Sequence, residues 1–145
     1  TLGGFATTRC WDTENKMSVA IHDDLDPPSR FAVLCHELAH IYLGHLGSDA
    51  DGWWPCRINL THTAVEIEAE AVAFIVCQRL ELKPYSESYL SSYLKNDELP
   101  LGVSLELITK VSGRLEDMSK RILPPHRDRA AKKSGKAGKA SREGA

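Results

Sequence analysis

No apolar run in these 145 residues approaches the ~20 needed to cross a bilayer as a helix, which excludes an α-helical membrane span within them. No charged-then-apolar segment opens the chain, so no secretion leader is in view. There is no CxxC pair either. Cys10, Cys35, Cys56 and Cys77 are far apart, which argues against a thiolate zinc site. Cys35 and Cys77 fall in segments that read as apolar helix, where free buried cysteine is common. A reducing, cytoplasmic setting is therefore expected rather than a disulfide-bonded secreted domain. The last stretch, AAKKSGKAGKASREGA, has almost no large apolar residue and no aromatic. It cannot build a core and offers nothing for base stacking.

What is present is the composition of an ordinary globular chain, 42% hydrophobic and 26% charged. The net charge of −2 conceals an asymmetry: residues 121–145 carry +6 and residues 1–120 carry −8. The expected organisation is one domain over residues 1–123 and a disordered basic tail over 124–145. The tail reads as solubilising. A nucleic-acid contact by phosphate neutralisation is the less favoured alternative.

Residues 5–11, FATTRCW, read as a strand, and so do residues 17–21, MSVAI, which alternate apolar and small side chains. The intervening DTEN at 12–15 suits a hairpin turn. Asp26-Pro27-Pro28-Ser29 then has the form of a helix start. Phe31, Leu34, Cys35, Leu38, Ile41 and Tyr42 follow helical spacing to about Leu46, with Gly44 and Gly47 as stop signals. After a loop-like stretch at 47–62, a second helix is expected from about Thr63 to Leu82. Two more are expected at about 86–95 and 104–122. The fold class is α+β: a small antiparallel sheet packed on two chemistry-bearing helices, with extra C-terminal helices.

The first of those helices carries His36-Glu37-Leu38-Ala39-His40, an HExxH string. Residues four apart share a helix face, so both imidazoles can reach one Zn²⁺. Glu37 is turned about 100° from His36, near the metal without ligating it. There it can act as general base toward water that the metal makes more acidic. The same string arises by chance on amphipathic helices, with its Glu and one His merely solvated. Here it sits mid-helix among apolar residues.

A third ligand must come from elsewhere. The metzincin pattern would need histidine where this chain has Leu46 and glycine where it has Leu43, so that pattern is excluded. His45 reads as a helix-end histidine at the negative pole of the dipole, and His62 lies in a polar loop. The second helix offers Glu66, Glu68 and Glu70. Glu66 and Glu70 share a face with Ala69, Ala73 and Cys77, where buried carboxylates call for a cation. Glu68 points nearly the opposite way and is expected to be solvated. Thr63-Ala-Val-Glu66 could instead form a capping box that explains Glu66, although not Glu70.

On HELAHIYLGH at 36–45 and EIEAEAVA at 66–73, the chain resembles the ImmA/IrrE family of zinc metallopeptidases. It is also similar to the zincin-like domain of ArdC-type antirestriction proteins. The resemblance covers roughly residues 3–95. It implies a zincin-like fold with His36, His40 and Glu66 as zinc ligands, and Glu37 as general base. Glu70 stands where the family usually has Asn or Asp, which implies that it holds a ligand histidine by a hydrogen bond. Val72 stands where the family has Phe. These departures leave the choice between Glu66 and Glu70 open. The resemblance further implies intracellular cleavage of a specific protein, such as a DNA-binding repressor of a mobile element. The substrate would be an extended segment, added as a strand beside MSVAI. The alternative is a non-proteolytic zincin-like interaction module.

Overall fold

The computed structural model describes residues 3–8, 17–48, 54–83 and 98–121. Within them the chain is α+β. Strand β1 (Gly4–Thr7) pairs antiparallel with β2 (Ser18–Ile21), with Phe5 opposite Ala20 and Ala6 opposite Val19. Helices α1 (Pro27–Tyr42), α2 (His62–Arg79) and α3 (Leu105–Lys120) follow. The expected turn at 12–15, the helix at 86–95 and the tail at 124–145 lie outside the described residues.

Each helix begins on an oxygen-bearing cap. The Asp26 side chain accepts from the Ser29 amide at 3.1 Å, and the two prolines fill the first turn of α1, where no amide partner is needed. In α2 the cap is Thr61, whose hydroxyl accepts from the Ala64 amide at 3.2 Å. The helix therefore starts just before Thr63, close to the expected position, and Thr61 rather than the alternative Thr63 is its cap. That leaves Glu66 one full turn inside the helix. Ser104 caps α3.

Helix α2 is the centre of the stack, with α1 on one side and α3 on the other. Cys35 and Ala39 of α1 and its cap residue Leu43 meet Ala69, Val72, Ala73 and Val76 of α2, and Ile108, Val111 and Leu115 of α3 complete the core. Ala39, Ala69 and Ala73 are fully buried, and such small side chains let the helix backbones approach closely. Four consecutive α2 residues, Ile67 to Glu70, are buried, so α2 has no solvent face over that turn. Helix α3 instead buries one stripe, Ile108, Val111, Ser112 and Leu115. The sheet lies on α1. Gly4 permits this approach, because a Cβ there would meet the Ala20 carbonyl and stand 2.9 Å from Val33 of α1. Cys35 and Cys77 are free and buried, as expected for apolar helices. No helix among the described residues is long and apolar enough to cross a membrane.

Helix α1 ends at Tyr42, one turn earlier than its apolar pattern indicates. Gly44 adopts φ +80°, and the amides of Gly44 and His45 turn back to the carbonyls of Ile41 (3.0 Å) and His40 (3.0 Å). This is the Schellman termination, which needs a left-handed residue after the cap. It folds His45 back against the last turn of the helix that carries His40.

Candidate metal centre

The HExxH spacing puts His36 and His40 on the side of α1 that faces α2, and Glu66 comes from the second turn of α2. His36 Nε2 and His40 Nε2 are 3.1 Å apart. Glu66 straddles them, with Oε2 at 3.6 Å from His36 Nε2 and Oε1 at 3.6 Å from His40 Nε2. One ligand atom from each of the three residues lies within 4.8 Å of the others, so the group could hold a metal ion. Donors bound at 2.0–2.1 Å in a tetrahedral site stand about 3.3 Å apart, and the three observed separations bracket that value. The donor set fits the group.

Glu70 Oε2 lies 3.1 Å from His36 Nδ1, on the far side of the ring from the ligand nitrogen. Glu66 thus stands in the group that could hold a metal, and Glu70 behind the His36 ring. Glu37 is 6% exposed and carries a hydrogen bond from the Ala6 amide of β1. His62 lies outside the ligand group, 85% exposed, with Nδ1 3.9 Å from Glu66.

The charges around this group are strongly redistributed. Burial depresses His36, but the bonds to Glu66 and Glu70 outweigh it and hold the imidazole up at about 9. Burial and then the neighbouring His36 charge push His40 down to about 4. Glu66 is lowered by its bond from His36 against the effect of burial. Glu37 is raised, chiefly by burial.

Two side chains differ from expectation. His45 stands just past the C-terminal end of α1 as expected, but its side chain turns inward: it is 3% exposed, with Nδ1 2.9 Å from His40 Nδ1. Glu68 is fully buried rather than solvated. Its direction, opposite to Glu66 on α2, follows the helical spacing. That opposite side, however, is covered by the start of α3 and by the loop carrying Arg57. Arg57 donates to both Glu68 oxygens at 2.8 Å, and the Ser104 amide donates to Oε1 at 2.6 Å. Arg57 was not singled out by any local signal. The Gly44-His45 pair after an HExxH helix was the available clue to His45, since a left-handed glycine returns the next residue to its helix.

A cleft of about 430 Å³ opens over the ligand group. Gly4, Phe5 and Ala6 of β1 form one wall, while Leu46, Ile58, Leu60 and Val65 give the other an apolar character. No β2 residue lines it, so the strand beside the cleft is β1 and not MSVAI. The Gly3 carbonyl accepts from His22 at 2.6 Å across the sheet. Alternation along an antiparallel strand then turns the backbone groups of Gly4 and Ala6 away from β2, toward the cleft side.

Comparison with protein-family models, with curated proteins and with solved structures gave no match. The functional reading therefore rests on the site itself.

Proposed function

We propose that this chain is a zinc-dependent metallopeptidase domain of zincin type, hydrolysing a peptide bond in an extended segment of a specific intracellular protein. The observation that carries the reading is the convergence of His36 Nε2, His40 Nε2 and Glu66 beside a buried, non-ligating Glu37. Three protein ligands leave a fourth position open, as a catalytic centre requires. Zinc held there would polarise a peptide carbonyl and make water more acidic.

The chain's own residues supply the rest. Glu37 takes the proton of the attacking water on its carboxylate and returns it to the leaving amine. A carboxyl raised by burial suits both halves of that exchange better than an ordinary one. Glu70 fixes the ring of His36, and Glu66 supplies the anionic ligand. The outward backbone groups of Gly4 and the Ala6 carbonyl pair with substrate as an added strand, while the Ala6 amide stays on Glu37. The apolar wall of Leu46, Ile58, Leu60 and Val65 receives a bulky apolar side chain beside the scissile bond. A DNA-binding regulator is the class of substrate that the resemblance to ImmA/IrrE proteins favours.

The test is Glu37→Gln, assayed for zinc by elemental analysis and for cleavage with a quenched-fluorescent peptide library. Parent and variant should each hold about one zinc, and the variant should lose ~10²–10⁴ in turnover. A parent without zinc removes the metal centre. A zinc-loaded variant as active as the parent leaves a non-proteolytic binding module as the reading.

A further inference from the structure

Behind His40 runs a line of buried polar groups that the proposed hydrolysis does not itself use. It passes from His40 Nδ1 to His45 Nδ1 at 2.9 Å, and from His45 Nε2 to Glu68 Oε2 at 2.8 Å. It ends on Arg57 and the Ser104 amide, which hold Glu68 from three directions. Arg57 is itself fixed: its Nη2 donates to the Gly102 carbonyl at 2.7 Å and its amide to the Gly44 carbonyl at 2.8 Å.

The hydrogen-bond direction along this line is determined from its far end. A guanidinium and a backbone amide only donate, so Glu68 is an acceptor toward both. Its contact with His45 is then filled by the His45 Nε2–H. Glu68 already has its counter-charge in Arg57, so a single proton on His45 fills the line, and with that one proton on Nε2 the ring has its lone pair on Nδ1. Two ring nitrogens at 2.9 Å share one proton, so His40 must donate from Nδ1. That leaves the lone pair of His40 on Nε2, the atom facing His36 and Glu66.

We propose that His45 is a positioning residue for the metal ligand His40, selecting the tautomer that ligates, with Glu68 and Arg57 selecting the tautomer of His45 in turn. The inference rests on the metal-centre reading above. It assigns the two histidine ligands different supports: His36 is held directly by a carboxylate, His40 through a second imidazole. Groups that orient ligand histidines in this way typically contribute 10–100-fold to metal affinity.

The experiment uses the full chain, with His45→Gln and His45→Met. The Gln amide presents an acceptor and a donor spaced like the two imidazole nitrogens, whereas Met fills similar space with neither. Zinc affinity is measured by competition with a chromophoric chelator, and ring protonation by long-range ¹H–¹⁵N spectra of the histidines. The expected results are a 10–100-fold loss of zinc affinity in His45→Met, with substantial recovery in His45→Gln. In the metal-free parent His40 should carry its proton on Nδ1, and that preference should weaken in His45→Met and return in His45→Gln. Parent-like zinc binding by His45→Met overturns the proposal. So does an Nε2–H tautomer of His40 in the metal-free parent, a result independent of whether either variant folds. A parent that binds no zinc but keeps the Nδ1–H tautomer refutes the metal centre while leaving the hydrogen-bond line intact.

Discussion

Glu68→Gln removes one charge from the middle of the helix stack and almost no volume. Glu68 receives donors from His45 Nε2, both Arg57 terminal nitrogens and the Ser104 amide. A Gln keeps one acceptor oxygen and replaces the other with a donor. In either orientation its NH₂ faces donors that Glu68 satisfied. The side chain of Arg57, 13% exposed, loses its counter-ion as well. Removing one partner of a buried ion pair costs about 3–5 kcal/mol. Linkage gives a similar figure. Burial alone would raise Glu68, but the bonds from His45, Arg57 and Ser104 outweigh it and hold the carboxyl at about 2 against an ordinary 4.5. That displacement corresponds to about 3 kcal/mol. Because the folded-state value is depressed, this stability is fully present above pH 4.5 and is lost as pH falls toward 2. Urea denaturation of the metal-free chain, followed by far-UV circular dichroism with a chelator present, reads the effect directly. With m of ~1–3 kcal/mol/M, the midpoint should fall by about 2 M with little change in slope. The deficit should narrow as the pH is lowered through the same window. Glu106→Gln breaks an exposed pair with Lys110 and serves as the control, with little shift expected. If the two variants share a midpoint near neutral pH, Glu68 is not the buried anchor described here.

Gly44→Ala should destabilise the fold by more than ~1 kcal/mol, because φ is +80° and a Cβ would overlap the Pro55 carbonyl. Thermal melting checks this, and an unchanged Tm would contradict the placement of His45 as well. Zinc binding near neutral pH should release about one proton. His36 is held at about 9 while His40, at about 4, is already neutral. Titration calorimetry in buffers of different ionisation enthalpy counts that proton, and no release would refute the assigned charge states. Since the His36 value is raised above 6.5, its contribution to metal-free stability is present below pH 6.5 and lost as pH rises through about 9.

The parts of this architecture that could be read from sequence are those set by local spacing. His36 and His40 meet because they are four apart on a helix, and Glu66 and Glu70 because they share a face of another. Asp26 and the prolines announced the start of α1. What was not legible depends on which elements pack together. The direction of Glu68 followed from helical geometry, yet its burial depends on α3 and on Arg57, eleven residues upstream in a loop without periodicity. Helix α2 reads as apolar with a polar strip, and nothing within it says that a third helix covers the strip. The start of α2 was legible to within a residue, but its cap was not, because Thr61 and Thr63 are chemically equivalent candidates and only the path of the backbone distinguishes them. Likewise β1 and β2 are similar short strands, and which one borders the cleft is decided by how the hairpin lies on α1.

The hydrogen bonds around the ligand group form one directional system that explains why so much charge is buried in so small a fold. Arg57 and Ser104 donate to Glu68, His45 donates to Glu68, and His40 donates to His45. In the metal-free chain His36 bears a second proton on Nε2, which faces both the lone pair of His40 at 3.1 Å and Glu66 at 3.6 Å, while its Nδ1–H goes to Glu70. A single proton therefore lies among His36, His40 and Glu66, the group that could hold a metal ion. Glu66, Glu68 and Glu70 are set against that proton and one guanidinium, an arrangement still short of positive charge. Burial of unmatched carboxylates is expensive. Exchanging the proton for a divalent cation adds one positive charge without disturbing any other bond in the line. The ligand group could therefore hold a metal ion, and the supports of His36 and His40 are already in place without one.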